Sequence, residues 1–111
     1  MKINKKNALK IWFERYDDNL IATDFDGAIM HRDAYGDKNA IIRIDGEEIY
    51  CGWNLHHILP TSSGGTNDKE NLECTNIITN EQAGNKTTFI IDNAKYQVKK
   101  ANGKYLIVRI G

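Results

Sequence analysis

Trp53-Asn54-Leu55-His56-His57-Ile58-Leu59-Pro60 runs into Thr61-Ser62-Ser63-Gly64-Gly65-Thr66-Asn67-Asp68-Lys69-Glu70 and then into Asn71-Leu72-Glu73-Cys74. The first run is apolar and β-prone, and it stops at the only proline of the chain. Proline cannot donate to a ladder, so Pro60 suits the end of a strand. Thr61 to Glu70 reads as a polar loop with two glycines at its centre, and Asn71–Cys74 as a brief second strand. Thr75 or Asn76 then caps a helix through Ile77, Ile78, Asn80 and Glu81 that closes near Gly84. A strand, a loop, a strand and a helix, with two histidines at the end of the first strand, set the expected class: α+β.

Outward from this stretch the signals are simpler. Downstream, Thr88-Phe89-Ile90-Ile91 is β-prone and Asp92-Asn93 is a turn. Tyr96–Lys100 and Tyr105–Ile110 flank Asn102-Gly103, the signature of a type I′ hairpin. Upstream, Ala40–Ile44 and Glu47–Cys51 flank Asp45-Gly46, a second hairpin signal. Residues 20–39 are ambiguous: Leu20–Thr23 reads either as a short strand or as part of a helical turn. At the start, Leu9, Trp12, Phe13 and Tyr16 fall at i, i+3, i+4 and i+7, one apolar stripe of a helix. Asn4 or Asn7 caps its beginning, and it ends near Asp17-Asp18-Asn19. The expected architecture is an N-terminal helix, the central strand–loop–strand–helix unit and a C-terminal β-hairpin.

A chain of 111 residues suits one domain, 1–111, with a modest core of its own. No apolar run approaches the length of a membrane span. The basic start is followed by no apolar segment of signal-peptide type, so the expected compartment is the cytoplasm. Cys51 and Cys74 are far apart and form no Cys-x-x-Cys pair, so neither a disulfide framework nor a cysteine zinc knuckle is expected. They read as small buried hydrophobes, and Trp12 and Trp53 as core. Formal net charge is zero, which argues against a general nucleic-acid coat protein. The charge is uneven, however. Residues 86–111 carry Lys86, Lys95, Lys99, Lys100, Lys104 and Arg109 against Asp92 alone. Such a face can follow a phosphate backbone or can simply be a solvated hairpin.

The chemistry concentrates between residues 53 and 86. Phosphodiester hydrolysis needs a base that works near neutral pH, and imidazole suits that task. It also needs positive charge beside the leaving oxygen, which a divalent ion supplies from a site with an open position. Two histidines and two carboxamides can supply a base, a first ligand, an orienting group and a second ligand.

The pattern His56-His57-Ile58-Leu59-Pro60, Gly64-Gly65, Asn71-Leu72, Asn80 and Lys86 resembles the HNH endonuclease family, whose ββα-metal (His-Me finger) core clasps one ion. His57 to Asn71 spans 14 positions and Asn71 to Asn80 spans 9, within that family's spacing. The resemblance covers residues 53–86 and places the ββα-metal core at about 50–86. It is also similar to small phage and mobile-element members, which carry extra β structure after the helix. It implies a metal-dependent endonuclease acting on nucleic acid, DNA in the first place. In that reading His57 is the general base, and Asn71 orients the loop and the base. His56 and Asn80 are the metal ligands, and Lys86 contacts phosphate. The cofactor is one divalent ion, Mg, Mn, Ni or Zn. His56 stands where many members carry Asp, and imidazole suits Zn, Ni or Mn better than Mg. A homodimer is compatible with the reading, and cutting one strand or two depends on it.

Two further expectations follow. Neighbouring residues on a regular strand point to opposite faces, so His56 and His57 share a site only if the strand ends, twists or bulges there. The alternative to an enzyme is a catalytically silent HNH-like binding module, such as a phage inhibitor protein. Separately, Leu20–Ile29 is similar to the Asp-x-Asp-Gly motif of haloacid-dehalogenase-like phosphatases, with Asp24 as nucleophile and Asp26 as acid. That fold needs a doubly wound parallel sheet, which a chain this short without βαβ alternation does not encode. Asp24 and Asp26 are therefore expected on an exposed loop.

Overall fold

A computed structural model describes every residue, Met1–Gly111. The fold is α+β: two helices and a set of small antiparallel sheets. Helix α1 (Lys5–Tyr16) starts where Asn4 accepts a hydrogen bond from the Asn7 amide and ends at Asp17, which takes a left-handed φ of 54°. It buries Ala8, Ile11 and Trp12. Of the stripe expected from the sequence, Trp12 is in the core and Leu9 and Tyr16 pack against it, and only Phe13 departs. Phe13 is 45% exposed and lies beneath the Arg32 guanidinium, 5.8 Å from its ring. The buried line is turned toward Ala8 and Ile11, because Trp12 packs against Trp53 at a centroid distance of 4.9 Å.

Strands β1 (Ile21–Thr23) and β2 (Ile29–His31) form a short antiparallel pair. Strands β3 (Ile41–Ile44) and β4 (Glu47–Tyr50) form the hairpin that Asp45-Gly46 announces. Both turn residues have positive φ, 50° and 81°, as a type I′ turn demands. Strands β5 (Trp53–His57) and β6 (Leu72–Asn76) pair antiparallel, His57 opposite Leu72 and Trp53 opposite Asn76. Helix α2 (Ile77–Ala83) follows directly. Asn76 caps it by accepting from the Ile78 amide, and Gly84 closes it at φ 59°.

The C-terminal region is larger than a hairpin. Strands β7 (Thr88–Ile91), β8 (Ala94–Ala101) and β9 (Lys104–Arg109) make a three-stranded meander. The Asn102-Gly103 turn again has both φ values positive, 53° and 77°.

Apolar burial divides in two. The larger cluster contains Trp12, Met30, Cys51, Trp53, Leu55, Leu72 and Cys74, gathered from α1, β2, β5 and β6. The smaller joins Ala83 of α2 to Phe89, Ile91, Ala94 and Tyr96 of the meander, with Phe25 packed against it. Trp12 and Trp53 turn their indole N–H groups to the carbonyls of Asn19 and Arg32, so neither buried donor is left unpaired. Both cysteines are buried and free. No helix is long and apolar enough to cross a membrane.

Asp24 departs from expectation. It is 7% exposed, not on an open loop. Its Oδ1 accepts from the Asp26 and Ala28 amides, and its Oδ2 accepts from the Asn76 amide. A carboxylate that takes three backbone donors can stay buried, since each donor offsets part of the lost hydration. Asp26 is half-buried and accepts from the Tyr96 hydroxyl at 2.6 Å. The segment that looks like a phosphatase motif is thus a tie between β6, α2 and the meander.

Candidate functional site

Strand β5 has two faces. Trp53 and Leu55 turn into the larger core, and Asn54 and His56 turn toward α2. His57 is the last residue of the strand, and beyond it the chain leaves the ladder toward Pro60. This end lets both imidazoles line one small cleft, together with Leu55, Pro60, Thr61, Asn80, Gly84 and Asn85.

His56 is 4% exposed, and its Nδ1 lies 2.5 Å from Asn80 Oδ1. Facing an amide oxygen, Nδ1 carries the proton of the neutral ring, which leaves the Nε2 lone pair free. Burial pushes the His56 pKa below its ordinary value. The Asn80 bond opposes that shift, and the neighbouring His57 adds to it. A neutral imidazole is the form that ligates metal. Asn80 is held in turn: its amide N–H₂ donates to Asn54 Oδ1 at 2.7 Å, and Asn54 lies on the same strand face as His56, two residues before it. Opposite Asn54 in the ladder stands Thr75, whose fully buried hydroxyl has no hydrogen-bond partner.

His57 is half-buried, and its Nε2 lies 2.7 Å from Asn67 Oδ1. By the same reasoning Nε2 bears the proton and Nδ1 is the acceptor. Asn71 makes no hydrogen bond to His57. It ties the loop instead: Oδ1 accepts from the Leu59 amide, and the amide nitrogen donates to the carbonyls of Leu59 and Thr66. Of the two duties that the resemblance gives Asn71, the structure brings it to the loop. The group beside the base histidine is Asn67, which the sequence presents only as one polar loop residue among ten. The glycine pair serves this loop as well. Gly64 takes φ 94°, and a Cβ on Gly65 would stand 1.8 Å from the Leu59 carbonyl oxygen. Lys86 lies beyond α2, exposed, and makes no ion pair.

His56 and Asn80 suit a divalent cation in donor type, a nitrogen and a neutral oxygen. The cation would then take the place of the Nδ1 proton. No group of three or more His, Cys, Asp or Glu side chains is arranged to hold a metal ion.

Comparison of the chain with protein-family models, with curated proteins and with solved structures gives no match.

Proposed function

We propose that the chain is a metal-dependent endonuclease of HNH type, hydrolysing DNA phosphodiester bonds from a ββα-metal core made of β5, the Gly64-Gly65 loop, β6 and α2. The observation that carries the reading is the convergence of His56, His57 and Asn80 on one cleft at the end of β5. Three polar side chains from two elements, spaced as the motif requires, share a pocket that the strand ending makes possible.

In this reading His57 Nδ1 takes a proton from water as the water oxygen bonds to phosphorus. The P–O bond to the leaving alkoxide breaks, and the alkoxide takes its proton from solvent. Asn67 keeps Nε2–H in place, so the ring holds one tautomer before transfer and keeps that bond as an imidazolium after it. His56 and Asn80 would hold the ion, which supplies positive charge beside the leaving oxygen. Lys86 would meet a phosphate next to the scissile one.

The test is nicking of supercoiled plasmid with Mg, Mn, Ni or Zn and with EDTA. EDTA should abolish cutting. His57→Ala should lower the rate by about 10²–10⁴-fold while leaving the fold intact. Cutting by His57→Ala at the wild-type rate would sink the assignment.

One observation favours a second reading, a silent binding module. His56, Asn80 and Asn54 already satisfy one another as a closed polar chain. Absence of cutting with every metal, together with tight binding to a protein partner, selects that reading.

A further inference from the structure

The chain is neutral, yet its charge is segregated. Residues 86–111 hold six of the fifteen basic residues and one of the fifteen acids, a net of +5, and the first 85 residues carry the balancing −5. Three ion pairs form, Arg32–Asp33, Arg43–Glu48 and Lys69–Glu14, and none draws on residues 86–111. The basic side chains of the meander therefore face solvent without a carboxylate partner.

The register sorts them. Phe89, Ile91, Ala94 and Tyr96 fill the inner face against α2 and Phe25. The outer face carries Lys95 and Lys99 on β8 and Lys104 on β9, all exposed; no acid of the meander shares it, although Lys104 at its edge also borders a cleft with Asp68 and Glu70. Lys95 and Lys99 are four residues apart on one strand, about 13 Å. Lys99 pairs with Leu106, so Lys104 is its diagonal neighbour, about 7–8 Å away. The three positions span roughly 20 Å along the sheet, the rise of about six base pairs of duplex.

We infer that this outer face is an interface for the phosphate backbone of DNA, with Lys95, Lys99 and Lys104 as its contacting cations. The choice of DNA as the polyanion rests on the nuclease reading. The surface itself rests on the segregated, unpaired charge. It gives a neutral protein a local field that a polyanion can follow, while the acidic remainder repels the duplex and fixes which side it meets.

The test is fluorescence anisotropy of a labelled DNA duplex between about 50 and 200 mM salt. Wild-type chain is compared with the triple variant Lys95→Gln, Lys99→Gln, Lys104→Gln and with a control triple variant at Lys5, Lys6 and Lys10, exposed positions on α1 that change net charge equally. Each lost phosphate contact flattens the slope of log K against log salt by about 0.9, so the sheet variant should lose about 2–3 from the slope and bind roughly a hundred- to a thousandfold more weakly at 0.1 M salt. The control should keep the wild-type slope. Equal losses in both variants, no loss in the sheet variant, or equal lysine-dependent binding of poly-glutamate would each overturn the inference. Hydrolysis of bis-p-nitrophenyl phosphate by the wild-type chain is read in parallel. Lysine-dependent DNA binding without any hydrolysis removes the nuclease reading and leaves the surface. Hydrolysis with lysine-independent binding does the reverse.

Discussion

The two apolar clusters do different work for the same site. The larger, around Trp12 and Trp53, fixes β5 and with it the backbone of His56 and His57. The smaller, around Phe89 and Tyr96, fixes Ala83 at the end of α2, the helix that carries Asn80. The His56–Asn80 bond joins an element held by one cluster to an element held by the other. A site at such a seam inherits its geometry from two sources, and these can be disturbed separately. Damage to the larger cluster should remove the fold, and damage to the smaller should loosen α2 while the fold remains.

The largest effect is expected from Trp53→Ala. Trp53 is fully buried, packs tilted against Trp12 and edge-on against Tyr35, and donates to the Arg32 carbonyl. Truncating such an aromatic costs about 3–5 kcal/mol, a large share of the stability of a domain this size. Urea denaturation should show a correspondingly lower midpoint, or no folded baseline at all. A midpoint within experimental error of wild type would mean that the larger cluster is not what holds β5.

Asp24→Ala tests the link between the two regions. It strips the acceptor from three amides, those of Asp26, Ala28 and Asn76. Orphaned buried donors cost about 1–3 kcal/mol. Because Asn76 caps α2, the loss should concentrate there: amide exchange at Thr79–Ala83 should accelerate more than exchange in α1. Uniform acceleration across both helices would mean that Asp24 supports the whole fold and not the seam.

What the sequence revealed and what it hid follow from how far each interaction reaches. Asp45-Gly46 and Asn102-Gly103 announce their hairpins because positive φ is a local demand that few residues meet. Asn4 and Asn76 announce their helices because a cap bonds two or three residues ahead. Pro60 marks the end of β5 because its ring removes a donor. Asp24 gave no such signal: one of its donors, the Asn76 amide, lies 52 residues away, and the local Asp-Phe-Asp-Gly pattern suggested a surface loop. The buried line of α1 was also hidden, because Phe13 and Ile11 are equally apolar and only the position of Trp53 decides which turns inward. In the candidate site, His56, His57, Asn71 and Asn80 were legible through their spacing. Asn67 was not, since nothing separates it from its polar neighbours until the loop closes it onto His57.

The smallest effect is expected from Tyr96→Phe, which keeps the ring stacked on Phe89 and removes only the hydroxyl donated to Asp26. One hydrogen bond to a charged acceptor contributes about 1.5–3 kcal/mol, and the partner here can recover part of that from water because Asp26 is half-buried. A loss near 1 kcal/mol at pH 7 is the expected result. The pH dependence shows whether the buried neutral hydroxyl carries the effect. Burial, and then the bond to Asp26, push the Tyr96 hydroxyl from 10.0 up to about 12. A group whose folded pKa is raised stabilises the fold fully below its unfolded pKa and loses that contribution as pH rises through the folded value. Wild type should therefore lose its advantage over Tyr96→Phe between about pH 10 and pH 12, where the phenol ionises beside a carboxylate. The difference between the two denaturation midpoints, followed across that window, should shrink through zero and change sign, since about two pKa units outweigh a loss near 1 kcal/mol. A difference that stays constant across the window would mean that the hydroxyl does not ionise there and that its bond to Asp26 is not what the variant removes.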